Sequence, residues 1–189
     1  MRGRPFDGMV KPVRFLTTLL LIASAGAAAC SSPTGGDAGE SPGAEAWRTA
    51  TMRDVVTGEE FRILDLDGRV VVIETMAVWC VNCRFQQLEA QAALETVDSP
   101  NVFYLSLDVD PNERAADLAD YARREGFDWR FAVAPPEVSR SLAASFGDQV
   151  LSPPSTPLIV LGPDGELIER HLGIMSADDL AALFRDHLP

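Results

Sequence analysis

Cysteine is scarce in this chain and lysine is nearly absent. Cys30, Cys80 and Cys83 are the only cysteines among 189 residues, and Lys11 is the one lysine. An odd cysteine count excludes a scaffold held by several disulfide bridges. The missing lysines, with every later cation an arginine, are a compositional bias without functional content. Cations as a class are also short. Sixteen face 28 acids, for a formal charge of −12. Nucleic-acid phosphates would be repelled by such a surface, so they are excluded as a partner. A soluble body dispersed by like charge fits it. No internal repeat is present. Histidine occurs twice, as His171 and His187, far along the chain in separate segments. A zinc site built on two cysteines needs two further ligands, and neither histidine is well placed to supply one. Hydrophobic residues make up 47 %, which permits a packed core and excludes disorder throughout.

The N-terminal thirty residues have their own pattern. Arg2, Arg4, Lys11 and Arg14 precede an apolar run from Phe15 to Ala23, and small residues lead to Cys30. The run is shorter than the roughly 20 residues a membrane-spanning helix requires. This is the layout of a secretory signal peptide over residues 1–29. The small-residue triplet before Cys30 resembles the lipobox of bacterial lipoproteins, with Ala27 where that motif usually has leucine. The resemblance implies lipidation of Cys30; ordinary cleavage near Ala29 would instead leave it a free thiol. Removing residues 1–29 takes away four cations and one acid and leaves a formal −15. Residues 30–46, rich in Ser, Gly, Pro, Ala and Glu, read as a flexible tether spanning about 22 Å on average.

Residues 47–189 read as one α/β domain. Val70-Val71-Val72-Ile73 is β-branched without alternation, the pattern of a strand buried on both faces. Val81, Phe85, Leu88 and Ala92 recur at helical spacing and define one face of a helix. A strand follows from Val102 to Leu107, then a helix marked by Ala115, Leu118, Ala119 and Ala122 that stops near Gly126. Trp129 to Val133 predicts a third strand, and Val138, Leu142 and Phe146 a short helix closed by Gly147. Leu158 to Leu161, a Gly-Pro-Asp-Gly turn and Glu166 to His171 predict a hairpin. Ser176 with Asp179 caps a last helix carrying Leu180, Leu183, Phe184 and Leu188. Residues 47–69 predict a small N-terminal hairpin, with turns at Thr57-Gly58 and Asp67-Gly68. The alternation implies a central sheet with parallel strands, helices on both faces and an antiparallel hairpin.

The chemistry is carried by Trp79-Cys80-Val81-Asn82-Cys83, placed between the first long strand and the helix. Two thiols separated by two residues can close into a small disulfide and reopen, a two-electron switch. Cys80 falls at a helix N-terminus, where unpaired N–H groups and the helix dipole favour a thiolate. Cys80 is therefore the expected exposed, attacking sulfur. Cys83, one turn deeper, is expected to resolve the mixed disulfide. Trp79 offers an apolar platform beside it.

With Thr156-Pro157 leading a strand, this motif resembles the thioredoxin superfamily over residues of about 55–189. The segment from Thr156 to Glu166 is similar to the family's proline-strand-turn segment. The signal segment and the room for an inserted strand-helix unit resemble the TlpA/ResA-type extracytoplasmic thiol-disulfide oxidoreductases. The Cys-Val-Asn-Cys active site is also similar to the C-terminal domain of DsbD. The resemblance implies a thioredoxin fold, no cofactor, protein thiols and disulfides as substrates, and a membrane electron donor of the DsbD or CcdA type. It implies a lipid-anchored protein on the outer side of a membrane, acting as a reductant, some relatives serving cytochrome c maturation. The pair Val81-Asn82 lacks the histidine of strong oxidants such as DsbA, which agrees. Glu74 matches the family's buried acid and is expected to take the proton of Cys83; Tyr104 stands where thioredoxin has a lysine, and a Tyr104–Glu74 hydrogen bond is the alternative relay. Pro157 matches the cis-proline, and Thr156 is expected to offer backbone groups to an extended substrate segment. An alternative on the same fold is a SCO-like copper carrier, whose cysteines are three residues apart with a downstream histidine. The peroxiredoxin proline-threonine-cysteine pattern is absent.

Overall fold

The computed structural model of the protein describes residues 45–189. Cys30, the signal segment and all but the last two residues of the expected tether lie outside the described residues. The described chain opens with a short helix, α1 (Ala46–Thr49), whose Trp47 is buried against Phe146 at 5.2 Å between ring centroids. The expected hairpin follows as β1 (Met52–Arg53) and β2 (Glu60–Phe61). Its turn closes through the Gly58 N–H donating to Asp54 O, with Gly58 at φ +77°, a conformation that costs a residue with a Cβ.

Five strands make the central sheet. They are β3 (Val70–Met76), β4 (Val102–Asp108), β5 (Arg130–Val133), β6 (Leu158–Leu161) and β7 (Leu167–His171), in the spatial order β5-β4-β3-β6-β7. β3, β4 and β5 run parallel, while β6 and β7 add antiparallel pairings. The helices are α2 (Val81–Val97), α3 (Ala115–Glu125), α4 (Pro136–Phe146) and α5 (Ala177–His187). Short 3-10 turns at Ile63–Asp65, Asp148–Leu151 and Pro153–Ser155 were not foreseen. The expected strands from Trp129 and Glu166 each begin one residue later, and Trp129 stacks on Phe127 instead, at 4.6 Å.

Strand alternation sorts the core into layers. Val71 and Ile73 of β3 face Trp47, Val138 and Leu142, so α1 and α4 cover that side. Val70 and Val72 face Ala90, Ala93, Leu180 and Phe184 of α2 and α5 on the other. A third cluster under α3 gathers Met76, Cys80, Cys83, Leu118, Tyr121 and Phe131. Glu74 thus belongs by alternation to the side that α2 covers. Every residue of β3 is buried, as its β-branched run predicts.

The helix after the cysteines forms, but its expected apolar face is turned to solvent. Val81, Phe85 and Leu88 are 66, 51 and 38 % exposed. The buried face is Cys83, Gln86, Gln87, Ala90 and Ala93. The small alanines allow α2 to lie close to the sheet, and both glutamines find partners inside. Gln86 accepts the Met175 N–H at 2.7 Å and donates to Met175 O at 3.3 Å. The predicted cap of α5 is present, Ser176 Oγ accepting the Asp179 N–H at 3.2 Å. Asp54, buried at the foot of the hairpin, ties it to the sheet by accepting from Arg130 at 2.8 Å, and the Val55 N–H donates to Phe131 O at 2.8 Å. Among the described residues no helix is long and apolar enough to cross a membrane.

Candidate active site

The site forms where β3 ends and α2 begins. Trp79 and Cys80 fill the turn, and Cys80 is the N-cap of α2. Its sulfur accepts the Cys83 N–H at 3.1 Å, one of the donors a helix start leaves unpaired. Cys80 and Cys83 are joined by a disulfide, with Cα atoms 5.3 Å apart. Their environments differ. Cys83 is fully buried, and Cys80 is 4 % exposed. This is less access than expected for Cys80, because it packs into the buried cluster with Met76, Leu118 and Phe131. It is still the only one of the two with surface in contact with solvent. Cys83 Sγ lies 3.2 Å from Pro153 O. The disulfide has no proton to donate there; in the dithiol the Cys83 S–H can donate to that carbonyl. A carbonyl at this place favours the thiol over the thiolate at Cys83, whereas the N–H at Cys80 favours the thiolate. Trp79 is 57 % exposed, and its Nε1–H donates to Asp110 Oδ2 at 2.7 Å.

The 3-10 turn Pro153–Ser155 carries Thr156 and Pro157 to the site. Pro153 O meets Cys83, and Pro154 O accepts from Asn82 Nδ2 at 3.0 Å. Pro157 is buried, and its carbonyl accepts the Thr75 N–H at 3.2 Å. Thr156 is 1 % exposed and sits in the left-handed region at φ 43°, a strained place for a β-branched residue. Of the backbone groups expected to meet a substrate segment, the Thr156 N–H is already engaged, donating to Pro153 O at 2.8 Å, because Thr156 closes the 3-10 turn. Its Oγ1 is buried without a partner.

Glu74 is fully buried rather than facing solvent at the strand end. Parallel register places it beside Ser106 of β4. Its Oε2 accepts from Ser106 Oγ at 2.9 Å and from Tyr104 OH at 3.3 Å, so the Tyr104–Glu74 bond anticipated from sequence is present. Ser106 Oγ also accepts from Trp129 Nε1 at 2.9 Å and from Gln87 Nε2 at 3.4 Å, and Tyr121 OH donates to Gln87 Oε1 at 2.5 Å. Burial pushes the Glu74 carboxyl up to about 8, against the pull of the Ser106, Gln87 and Tyr104 donors. Burial and the adjacent Glu74 hold the Tyr104 phenol well above its ordinary value, which keeps it a donor. Among the described residues Glu74 Oε1 has no partner. At neutral pH this carboxyl holds its proton, yet lies close enough to its transition to take and return one.

A second acidic group escaped the sequence reading. Asp108 ends β4, opposite Met76, and is buried. Its Oδ1 accepts the Asp110 N–H at 2.9 Å. Burial, then Glu113 beside it, pushes Asp108 up to about 8, so it carries a proton at neutral pH. Glu113 in turn accepts the Val78 N–H through both oxygens, at 3.0 and 2.8 Å. Two carboxyls of the β4–α3 loop, Glu113 and Asp110, therefore grip residues 78 and 79 just ahead of Cys80. In sequence the loop is only a polar turn with a proline. Its spacing from the cysteines is set by strand register, which no local pattern displays.

The donor set fits a copper ion poorly. His171 ends β7, and His187 lies in α5 beside Leu183 O. Among the described residues no three His, Cys, Asp or Glu side chains are grouped to hold a metal ion.

No family model matches the chain, and no curated protein matches it. Solved structures do. The chain is similar to a thiol:disulfide interchange protein of the thioredoxin family from Chlorobium tepidum TLS, at 19 % identity and a TM-score of 0.60, covering 74 % of this chain and 92 % of that one. It is similar to the thioredoxin domain of a thiol-disulfide oxidoreductase from Bacteroides vulgatus, at 15 % identity and a TM-score of 0.58, covering 74 % and 92 %. Copper-bound ScoI from Arabidopsis thaliana is also similar, at 13 % identity and a TM-score of 0.57, covering 72 % and 94 %. At such identities the likeness establishes the fold: the described body has a thioredoxin fold with a mixed five-stranded sheet.

Proposed function

We propose that this chain is a thiol-disulfide oxidoreductase that reduces protein disulfides through the Cys80–Cys83 couple. The observation that carries the reading is the asymmetry of the pair. One sulfur caps a helix and accepts an N–H at 3.1 Å, and the other is fully buried against a carbonyl at 3.2 Å. Such an arrangement gives one attacking and one resolving sulfur.

In the proposed reaction the Cys80 thiolate attacks a substrate disulfide. A Cys80–substrate bond forms, the substrate's own S–S bond breaks, and the leaving thiolate takes a proton. Cys83 then gives up its proton, with Glu74 the proposed acceptor, and attacks the Cys80 sulfur. The Cys80–Cys83 disulfide forms and the second substrate thiol leaves. Two electrons and two protons pass to the substrate. A carboxyl with its transition at about 8 is roughly one-tenth ionised at pH 7, enough to serve as base without remaining a buried charge.

The reading extends to the cell. A signal segment ending at Cys30 supports a lipid-anchored protein on the outer side of a membrane. A reductant there needs electrons delivered through the membrane, which favours a donor of the DsbD or CcdA type, and apocytochrome c is a candidate substrate. The test is trapping. Cys83→Ala, expressed in cells, should hold a substrate on Cys80 as a mixed disulfide that reductant releases, recovered with the membrane fraction and an acylated Cys30. A variant that captures no protein thiol would sink the enzyme reading; capture in the soluble fraction would sink only the anchor.

A further inference from the structure

A groove begins at Trp79, the residue before Cys80, and leads away along the β4–α3 loop. Its outer part, about 160 Å³, lies between Trp79 and Pro153, the residues that flank Cys80 and Cys83. Its inner part, about 540 Å³, reaches Ala134 and Pro136. The two parts share Val109, Asp110, Pro111 and Leu151, so they form one continuous depression. The larger volume falls within the roughly 300–1,000 Å³ range of ligand-binding clefts. Most of the lining is apolar. Among the described residues, the charged ones on it are Asp110 and Glu113, and no arginine or histidine lines either part. Arg114, which follows Glu113 in the chain, is already paired with Asp117 at 2.8 Å.

Asp110 has capacity left. Its Oδ1 accepts from the Asn112 N–H at 2.9 Å and from Asn112 Nδ2 at 3.0 Å, while among the described residues Oδ2 accepts only from Trp79. A carboxylate offers about four acceptor positions, so one on Oδ2 remains open. The Trp79 and Asn112 donors hold Asp110 below the usual carboxylate range, which keeps it an anion at any physiological pH.

Resting on the oxidoreductase reading, we infer that this groove selects the substrate: it takes a polypeptide segment that presents an apolar side chain and a cationic side chain next to its reactive cysteine. The apolar side chain enters between Leu151 and Ala134, and the cation pairs with Asp110 at the groove's mouth. The occupant is an extended segment of another protein, because the groove begins at Trp79, next in the chain to Cys80, and at Pro153, whose carbonyl meets Cys83. Charge complementarity sets its sign.

The test uses reduced full-length Cys83→Ala protein and short peptides whose cysteine is blocked as a thionitrobenzoate mixed disulfide. Cys80 attacks the peptide sulfur, the Cys80–peptide bond forms, and the coloured thionitrobenzoate anion leaves. An Arg-Leu-Cys peptide should react about 2–5-fold faster than Glu-Leu-Cys, the span of an exposed ion pair. It should react about tenfold faster than Arg-Gly-Cys, for partial burial of the leucine. Adding Asp110→Asn should bring the Arg/Glu ratio to near 1, and Asp186→Asn, on the exposed side of α5 across the sheet from α4, should leave that ratio in place. High salt should shrink the unmodified protein's ratio as well, a readout independent of how well the Asp110 variant folds. Equal rates for all peptides, or a ratio that falls alike in both variants, would overturn the groove assignment while leaving the redox reading intact. No colour from any peptide would overturn both.

Discussion

Replacing Glu74 by Gln should change how stability depends on pH more than it changes the fold. In the folded protein this carboxyl titrates at about 8, against an ordinary 4.5, because burial disfavours its charged form. Between those two pH values the unfolded chain has released the proton and the folded chain still holds it. The folded state then binds more protons, so stability falls as pH rises, by about 1.4 kcal/mol per pH unit from this one group. The full loss above pH 8 is on the order of 5 kcal/mol. Asp108, also raised to about 8, adds a slope of the same sign over a similar window. Glu74→Gln removes the first contribution and keeps the second, so the decline between pH 5 and 8 should be roughly halved. The amide brings an NH₂ group to a pocket in which Oε1 has no partner. That costs about 1–3 kcal/mol, but equally at every pH, so it shifts the curve without changing its slope. The assay is urea denaturation of the oxidised protein at unit steps from pH 5 to 9, comparing slopes. If both proteins lose stability with pH at the same rate, Glu74 is not a protonated buried acid. The proposed proton acceptor for Cys83 then goes with it.

Two further outcomes are expected. In the reduced protein at neutral pH, iodoacetamide should modify Cys80 on the order of tenfold faster than Cys83, because the thiolate is the reactive form and the helix start favours it at Cys80; peptide mapping that finds Cys83 modified first, or both alike, would reverse the assigned roles. Asp54→Ala should cost about 2–3 kcal/mol at pH 7, below the roughly 3–5 kcal/mol for breaking a fully buried ion pair, since Arg130 keeps some water contact and a second partner in Glu59. Burial acts to raise the Asp54 carboxyl, but Arg130, Val56 and Thr57 together hold it below its usual range. Its contribution is therefore present above about pH 4 and lost as pH falls through the depressed folded value, so the denaturation midpoints of the two proteins should draw together as pH is lowered below about 4.

What could be read from the sequence was local. The β-branched run Val70–Ile73, the glycine after Glu125 and the Ser176 cap each announce an element through its own residues, and each element is there. So is the CxxC pair, whose spacing is itself the signal. The residues around it are another matter. Ser106 is 32 positions from Glu74 and meets it only because β3 and β4 pair in parallel with those two side by side. Asp108 and Glu113 reach the active-site turn through the same pairing, continued past the strand ends. The turn Pro153–Ser155 was obscured by its prolines, which forbid a longer helix yet suit a single 3-10 turn. Register is a property of two strands together, and a single strand's residues do not state it.

The exposed stripe on α2 follows from the chemistry rather than contradicting the fold. A helix advances about 100° per residue, so burying Cys83 also buries positions three, four, seven and ten further on. Those are Gln86, Gln87, Ala90 and Ala93, the face the sheet receives. Val81, Phe85, Leu88 and Ala92 then fall about 140–200° away and cannot be buried at the same time. The sequence offers the helix two faces, one larger and more apolar, the other small and partly polar. Rotating α2 to bury Phe85 and Leu88 would gain about 1.5–3 kcal/mol for each side chain. It would also bring Cys83 into solvent and strip Gln86 and Gln87 of their partners among Met175, Ser106 and Tyr121. Each buried polar group made or left unpaired costs about 1–3 kcal/mol, and the caps that hold α2 against the start of α5 would be lost with them, Glu89 accepting the Ala177 N–H at 2.7 Å. The two faces are thus close in energy, and the hydrogen-bonded anchors decide between them. The result is a helix that keeps one sulfur sealed and the other at its rim, with an apolar surface left open beside it.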